Sequence, residues 1–210
     1  MRKWVGAALF ANGLLDIVGI LVRGTFVTPS AANAASFVHW ASSTRYVPAY
    51  IVVIVGTAIG TAGFFGLATV VRGTVATVGA TLAGIGNAFV MALLGVLLTF
   101  HGFSGVSGAG AAEAAAASVF NGAVAHTLEA LTALNIMGSV LLAVAIWRSG
   151  TLVRWVGVPL VVAPVLLAFP FSLGSEVTGA ALLAVVGAVV VAPSRLAVAV
   201  SAAPPSVASS

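Results

Sequence analysis

The chain has 210 residues, of which 8 are Lys or Arg and 4 are Asp or Glu, and hydrophobic residues make up 61% of it. Soluble domains carry roughly 25% charged residues, and the 6% found here cannot cover a water-facing surface. A soluble globular domain and a disordered chain are therefore excluded, and the absence of cysteine excludes disulfides, iron–sulfur clusters and Cys-type zinc sites. The basic residues form no patch with interleaved aromatics, so nucleic acid is not an expected partner. The composition reads as an all-α, polytopic transmembrane helix bundle with membrane lipid as its solvent.

A bilayer core about 30 Å thick needs about 20 helical residues. Six stretches meet that length: Trp4–Val22, Pro48–Val71, Thr74–Phe100, His126–Trp147, Leu152–Phe171 and Val177–Ala192. They show no period-2 alternation, which selects helices over a barrel. The first stretch is longer than the apolar region of a signal peptide and contains Asn12 and Asp16, so it reads as a retained span. The third is long enough to tilt or to extend past the lipid. Gly24–Val47 connects the first two spans, and its segment AANAASFVHWASSTRY reads as a short helix lying in the interface, with Trp40, Tyr46 and Tyr50 at headgroup depth. The loop His101–Ala117 is rich in Gly and Ala and reads as partly helical.

Charge sets the orientation. Arg2 and Lys3 precede span 1, Arg72 joins spans 2 and 3, Arg148 and Arg154 join spans 4 and 5, and Arg195 follows span 6. Only Arg23 and Arg45 fall on the other side, so both termini are expected in the cytoplasm, in a multi-pass protein of the cytoplasmic membrane. Residues 1–195 form one six-span domain in this reading, and 196–210 form a disordered tail. Gly56 and Gly60 make a GxxxG pair suited to a close helix crossing, and Gly179 and Gly187 are read as one face of span 6. Pro159 and Pro164 interrupt span 5.

The acids and histidines fall in or near the outer half. They are Asp16, His39, His101, Glu113, His126, Glu129 and Glu176. An ionisable residue within a span costs a few kcal/mol, so Asp16 and Glu129 are the default sites. Asn12 precedes Asp16 by four residues and shares its helix face. Three readings of Asp16 stand open: pairing with Arg23 or Arg45, handling a proton or cation, or staying protonated within the bundle. His126 and Glu129 form H-x-x-E on one face. With His101, or His39, as third ligand they make a candidate metal set; His101 and His126 are candidate axial haem ligands. GFSGVSG, from Gly102 to Gly108, reads as a loop: the nearest later histidine, His126, is only 19 residues past Ser107. No phosphate-binding loop or HExxH motif is present.

Two segments carry a family resemblance. Span 1 runs into Val22-Arg23-Gly24, followed by Val27, Pro29 and AANAAS up to Arg45; the span 4–5 hairpin reads AIWRSGTLVRWVGV. Both resemble a widespread bacterial family of uncharacterised six-helix integral membrane proteins. The resemblance implies the six-helix topology and no known activity or site residue.

The expected function is binding or moving a small molecule or ion through an outward-facing polar site built from Asp16, Asn12, Glu129, His126, His101, Arg23 and Arg45. The alternatives are a metal or haem protein using His101, His126 and Glu129, and a structural or assembly subunit. Whether the chain is an enzyme stays open in this reading, with a non-enzymatic role favoured.

Overall fold

The computed structural model describes residues 1–24, 34–121, 123–168 and 172–192. Eight α-helices lie within them: α1 (Arg2–Arg23), α2 (Ala34–Ala41), α3 (Tyr46–Val71), α4 (Thr74–Ser107), α5 (Ala109–Asn121), α6 (Ala123–Ser149), α7 (Gly157–Ala168) and α8 (Leu173–Val191). A 3-10 turn, Arg154–Val156, leads into α7. No strand occurs among the described residues.

Five helices are long and apolar enough to cross a membrane: α1, α3, α4, α6 and α8. This is the span pattern expected from hydropathy, with one difference. The fifth expected stretch, Leu152–Phe171, holds the 3-10 turn and α7, which has 12 residues and contains Pro164. Among the described residues this helical stretch starts only at Arg154 and reaches Ala168, short of membrane length, and it accommodates Pro164 within it. Residues 169–171 and the expected tail, 196–210, lie outside the described residues. The third expected span continues as helix past Phe100: α4 runs 34 residues to Ser107, so GFSGVSG, expected as a loop, is helical up to Ser107, and α5 follows after Gly108. The expected interfacial segment contains α2.

Six helices close into a ring in the order α1, α3, α4, α6, α7, α8 and back to α1. The chain order supplies three of these contacts through short links. Between α3 and α4 only Arg72 and Gly73 intervene, both at positive φ, 54° and 100°. Gly73 adopts this at little cost, whereas Arg72 bears the steric penalty of a left-handed side chain. The α1–α8 contact joins the two ends of the ring, and there the Arg2 Nε donates to the Val190 carbonyl at 2.8 Å, capping the end of α8.

In lipid the hydrophobic effect does not draw helices together, so close backbone contact must do so. Glycine supplies that contact at three crossings. A Cβ on Gly187 would stand 2.2 Å from the Phe10 amide nitrogen, closing α8 on α1. A Cβ on Gly138 would stand 2.2 Å from the Ala83 nitrogen, closing α6 on α4. Gly56 and Gly60 receive α1. The GxxxG pair of α3 is thus an internal crossing. Gly179 and Gly187 do not share a face as expected: Gly179 meets Ala163 and Leu166 of α7, and Gly187 meets α1. Eight residues turn a helix by roughly 80° beyond two full turns, enough to aim the two glycines at different neighbours.

The interior divides along the helix axes. At the end carrying Arg2, Arg72, Arg148 and Arg154, here the basic end, an apolar core fills the ring with Val5, Leu9, Leu67, Val71, Ile146, Val156, Leu160 and Val190. At the opposite end α2 and α5 pack beside α4, and Phe37, Tyr46, Tyr50, Leu97 and Phe100 form a second, aromatic-rich cluster. Polar side chains lie between the two.

Candidate functional site: a buried polar layer

Helix α1 brings Asn12 and Asp16 to the α3 interface because a four-residue step returns nearly to the same face. Both are buried, at 1% and 5% exposure. Asn12 Nδ2 donates to Asp16 Oδ2 at 2.7 Å. The remaining oxygens, Asn12 Oδ1 and Asp16 Oδ1, have no hydrogen-bond partner among the described residues. The opposing glycines of α3 make the room. A Cβ on Gly60 would lie 1.8 Å from Asn12 Oδ1, and one on Gly56 would lie 3.1 Å from Asp16 Oδ1.

Asp16 has no cationic partner among the described residues. The basic group nearest in sequence, Arg23, pairs instead with Glu176 at the start of α8. Side-chain exposures of 10% and 5% make this a largely buried ion pair. Tyr50 lies beside both charges. Arg45 is exposed just before α3 and makes no ion pair among the described residues. The pairing of Asp16 with Arg23 or Arg45 is therefore not what the fold adopts: α8 carries Glu176 to Arg23 first.

A second set of polar groups continues around the ring. Asn87 Nδ2 on α4 donates to the Thr57 carbonyl at 2.9 Å and to Thr61 Oγ1 at 3.1 Å. Asn135 Nδ2 on α6 donates to Asn87 Oδ1 at 3.3 Å, and Ser139 Oγ lies 3.5 Å from Asn135 Oδ1. Thr57, Asn87, Asn135 and Ser139 are all buried. The charge-centred sequence reading passes over these four. Their signal is an amide or hydroxyl in the middle of an apolar run, as in GNAF around Asn87 and LNIMGS around Asn135. Buried polar groups thus lie on α1, α3, α4 and α6 in two sets, and among the described residues no hydrogen bond joins Asn12 or Asp16 to the second set.

The histidines do not join it. His101 on α4 sets Nδ1 2.7 Å from the Ala41 carbonyl and stacks on Tyr46 at 6.2 Å between ring centroids, which ties α2 to the aromatic cluster. Tyr46 in turn donates to the Leu97 carbonyl at 2.7 Å. His39 is exposed on α2, and His126 is exposed near the start of α6. Among the described residues no three His, Asp or Glu side chains gather as a metal set. Glu129 lies in α6, but its side chain is outside the described residues, so the expected His101, His126 and Glu129 set is not fully in view.

Two oxygens and an amide define what the Asn12–Asp16 pair can do. Hard metal cations need about six to eight oxygen ligands, and Asn12 and Asp16 offer two open ones. A proton needs only one lone pair, and Asp16 Oδ1 supplies it. Comparison with family models, with curated proteins and with solved structures returned no match.

Proposed function

We propose that this chain is a multi-pass protein of the cytoplasmic membrane that binds a proton at Asp16 and moves it along an outward-facing polar layer. The observation that carries the reading is the Asp16 carboxylate: buried, bonded on one oxygen by Asn12, and without a cation beside it. An unpaired carboxylate at membrane depth is costly, and such residues mark proton and ion paths. An apolar core fills the basic side, so in this proposal a proton reaches Asp16 from the aromatic end and leaves on the basic side only when that core opens. In this proposal α7 and the segment after it complete a sixth span, and both termini face the cytoplasm. Membership of the six-helix bacterial family, suggested by the first connection and by the AIWRSGTLVRWVGV hairpin, belongs to the same reading.

The test is proton flux. Purified protein in liposomes, driven by a potassium diffusion potential and read with an internal pH dye, is expected to carry protons faster than empty liposomes. Asp16→Asn keeps the size and the Asn12 neighbour but cannot take up a proton. It is expected to reduce flux to the empty-liposome level, with helicity and detergent-solution melting unchanged. Wild-type flux equal to that of empty liposomes overturns the proposal, as does undiminished flux in Asp16→Asn.

A further inference from the structure

The basic end presents a cleft that the proton site does not use. It is a shallow, open depression lined by Trp147 of α6, Arg154 and Trp155 of the 3-10 turn, and Val158 of α7. Its walls are fixed by the backbone. The Trp147 indole Nε1 donates to the Arg154 carbonyl at 2.7 Å. The same indole lies over Gly157, where a Cβ would stand 2.7 Å from Nε1. Any larger residue at 157 would displace the ring, so glycine is what allows Trp147 to pin the turn.

The cleft is amphipathic. Trp155 and Val158 are 50% and 55% exposed, a large apolar surface for residues at the end of a bundle. Tryptophan is the side chain enriched at the headgroup boundary of a bilayer. The Arg154 side chain makes no ion pair among the described residues. Exposed Arg148 follows Trp147 directly, and exposed Arg72 lies at the same end of the ring. No acid occurs in the sequence between Glu129 and Glu176, so this hairpin carries cationic charge alone.

We infer that the cleft binds an anionic phospholipid, its phosphate held by Arg154 and its acyl chain lying along Trp155 and Val158. Charge complementarity selects the headgroup, and the exposed apolar wall selects a lipid over a free anion. A juxtamembrane cation contributes about 1 kcal/mol toward anionic lipid, equivalent to roughly fivefold in affinity. This site lies at the opposite end of the molecule from the approach to Asp16 and stands independently of the proton reading.

Tryptophan quenching by brominated lipid tests it. The full chain is reconstituted in vesicles containing either brominated phosphatidylglycerol or brominated phosphatidylcholine. Quenching is expected to favour phosphatidylglycerol by about fivefold, and Arg154→Gln is expected to remove the preference while Arg154→Lys retains part of it. Arg154 is exposed, so neither variant disturbs packing. Equal quenching by the two lipids overturns the inference, as does an unchanged preference in Arg154→Gln. Loss of the preference on adding millimolar inorganic phosphate would assign the cleft to a free anion and overturn the lipid reading too.

Discussion

The two halves of the ring hold together by different physics. Toward the basic end, helices meet backbone to backbone at Gly6, Gly79, Gly138 and Gly187, around an apolar core. Toward the aromatic end glycine contacts persist, at Gly19 against α3 and Gly179 against α7, and side chains with charge or hydrogen-bonding capacity are added to them: Arg23 with Glu176, Tyr46 with Leu97, His101 with Ala41. The first half gains stability from contact that any deformation forfeits, since dispersion falls off within an ångström. The second half relies on pairs whose members are each unfavourable alone. The bundle is thus held by apolar packing at one end and by apolar packing together with paired polar groups at the other.

The ion pair should yield the largest effect. Glu176→Ala leaves the Arg23 guanidinium largely buried without its partner, and breaking such a pair costs about 3–5 kcal/mol. Thermal unfolding in detergent should show this loss. The double replacement Arg23→Leu with Glu176→Leu should recover most of it, because neither charge then remains to be desolvated. A double variant as unstable as Glu176→Ala would mean that the two charges do not act as a pair, and the contrast between the halves would fail at the aromatic end.

The basic half is tested by adding volume. Gly138→Leu forces a side chain into the Ala83 backbone and should cost about 3 kcal/mol, with loss of monodispersity on size exclusion. Gly95→Leu, on the same α4 helix that Gly138 packs against, is the control: no atom lies within 4 Å of a Cβ there, and stability should hold. Equal tolerance of leucine at both positions would show that the α4–α6 crossing is not set by backbone contact.

Much of the bundle is written in local sequence. Hydropathy places α1, α3, α4, α6 and α8, because a helix of membrane length needs only a run of apolar residues. Asn12 and Asp16 are legible together because their four-residue spacing is a property of the helix alone. The Arg23–Glu176 pair is not legible in the same way. Its partners are 153 residues apart, and only closure of the ring between α1 and α8 brings them together. In the fifth stretch the α-helix begins only at Gly157, after the 3-10 turn, although average hydropathy reads as a span from Leu152. Asn87 and Asn135 were within reach of sequence as amides in apolar runs, but their 48-residue separation hides that they address each other.

That Asn87–Asn135 contact tests the polar layer at its weakest link. Interhelical hydrogen bonds in membranes average only about 0.6 kcal/mol, because separated helices find other partners for the same groups. A double-mutant cycle with Asn87→Ala and Asn135→Ala should therefore return a coupling near 0.6 kcal/mol, read from detergent melting. The coupling should be positive rather than zero, since Asn135 Nδ2 donates to Asn87 Oδ1 at 3.3 Å and both residues are buried where water cannot substitute. A coupling indistinguishable from zero would mean that α4 and α6 are held at this level by packing alone, with no contribution from the amide pair.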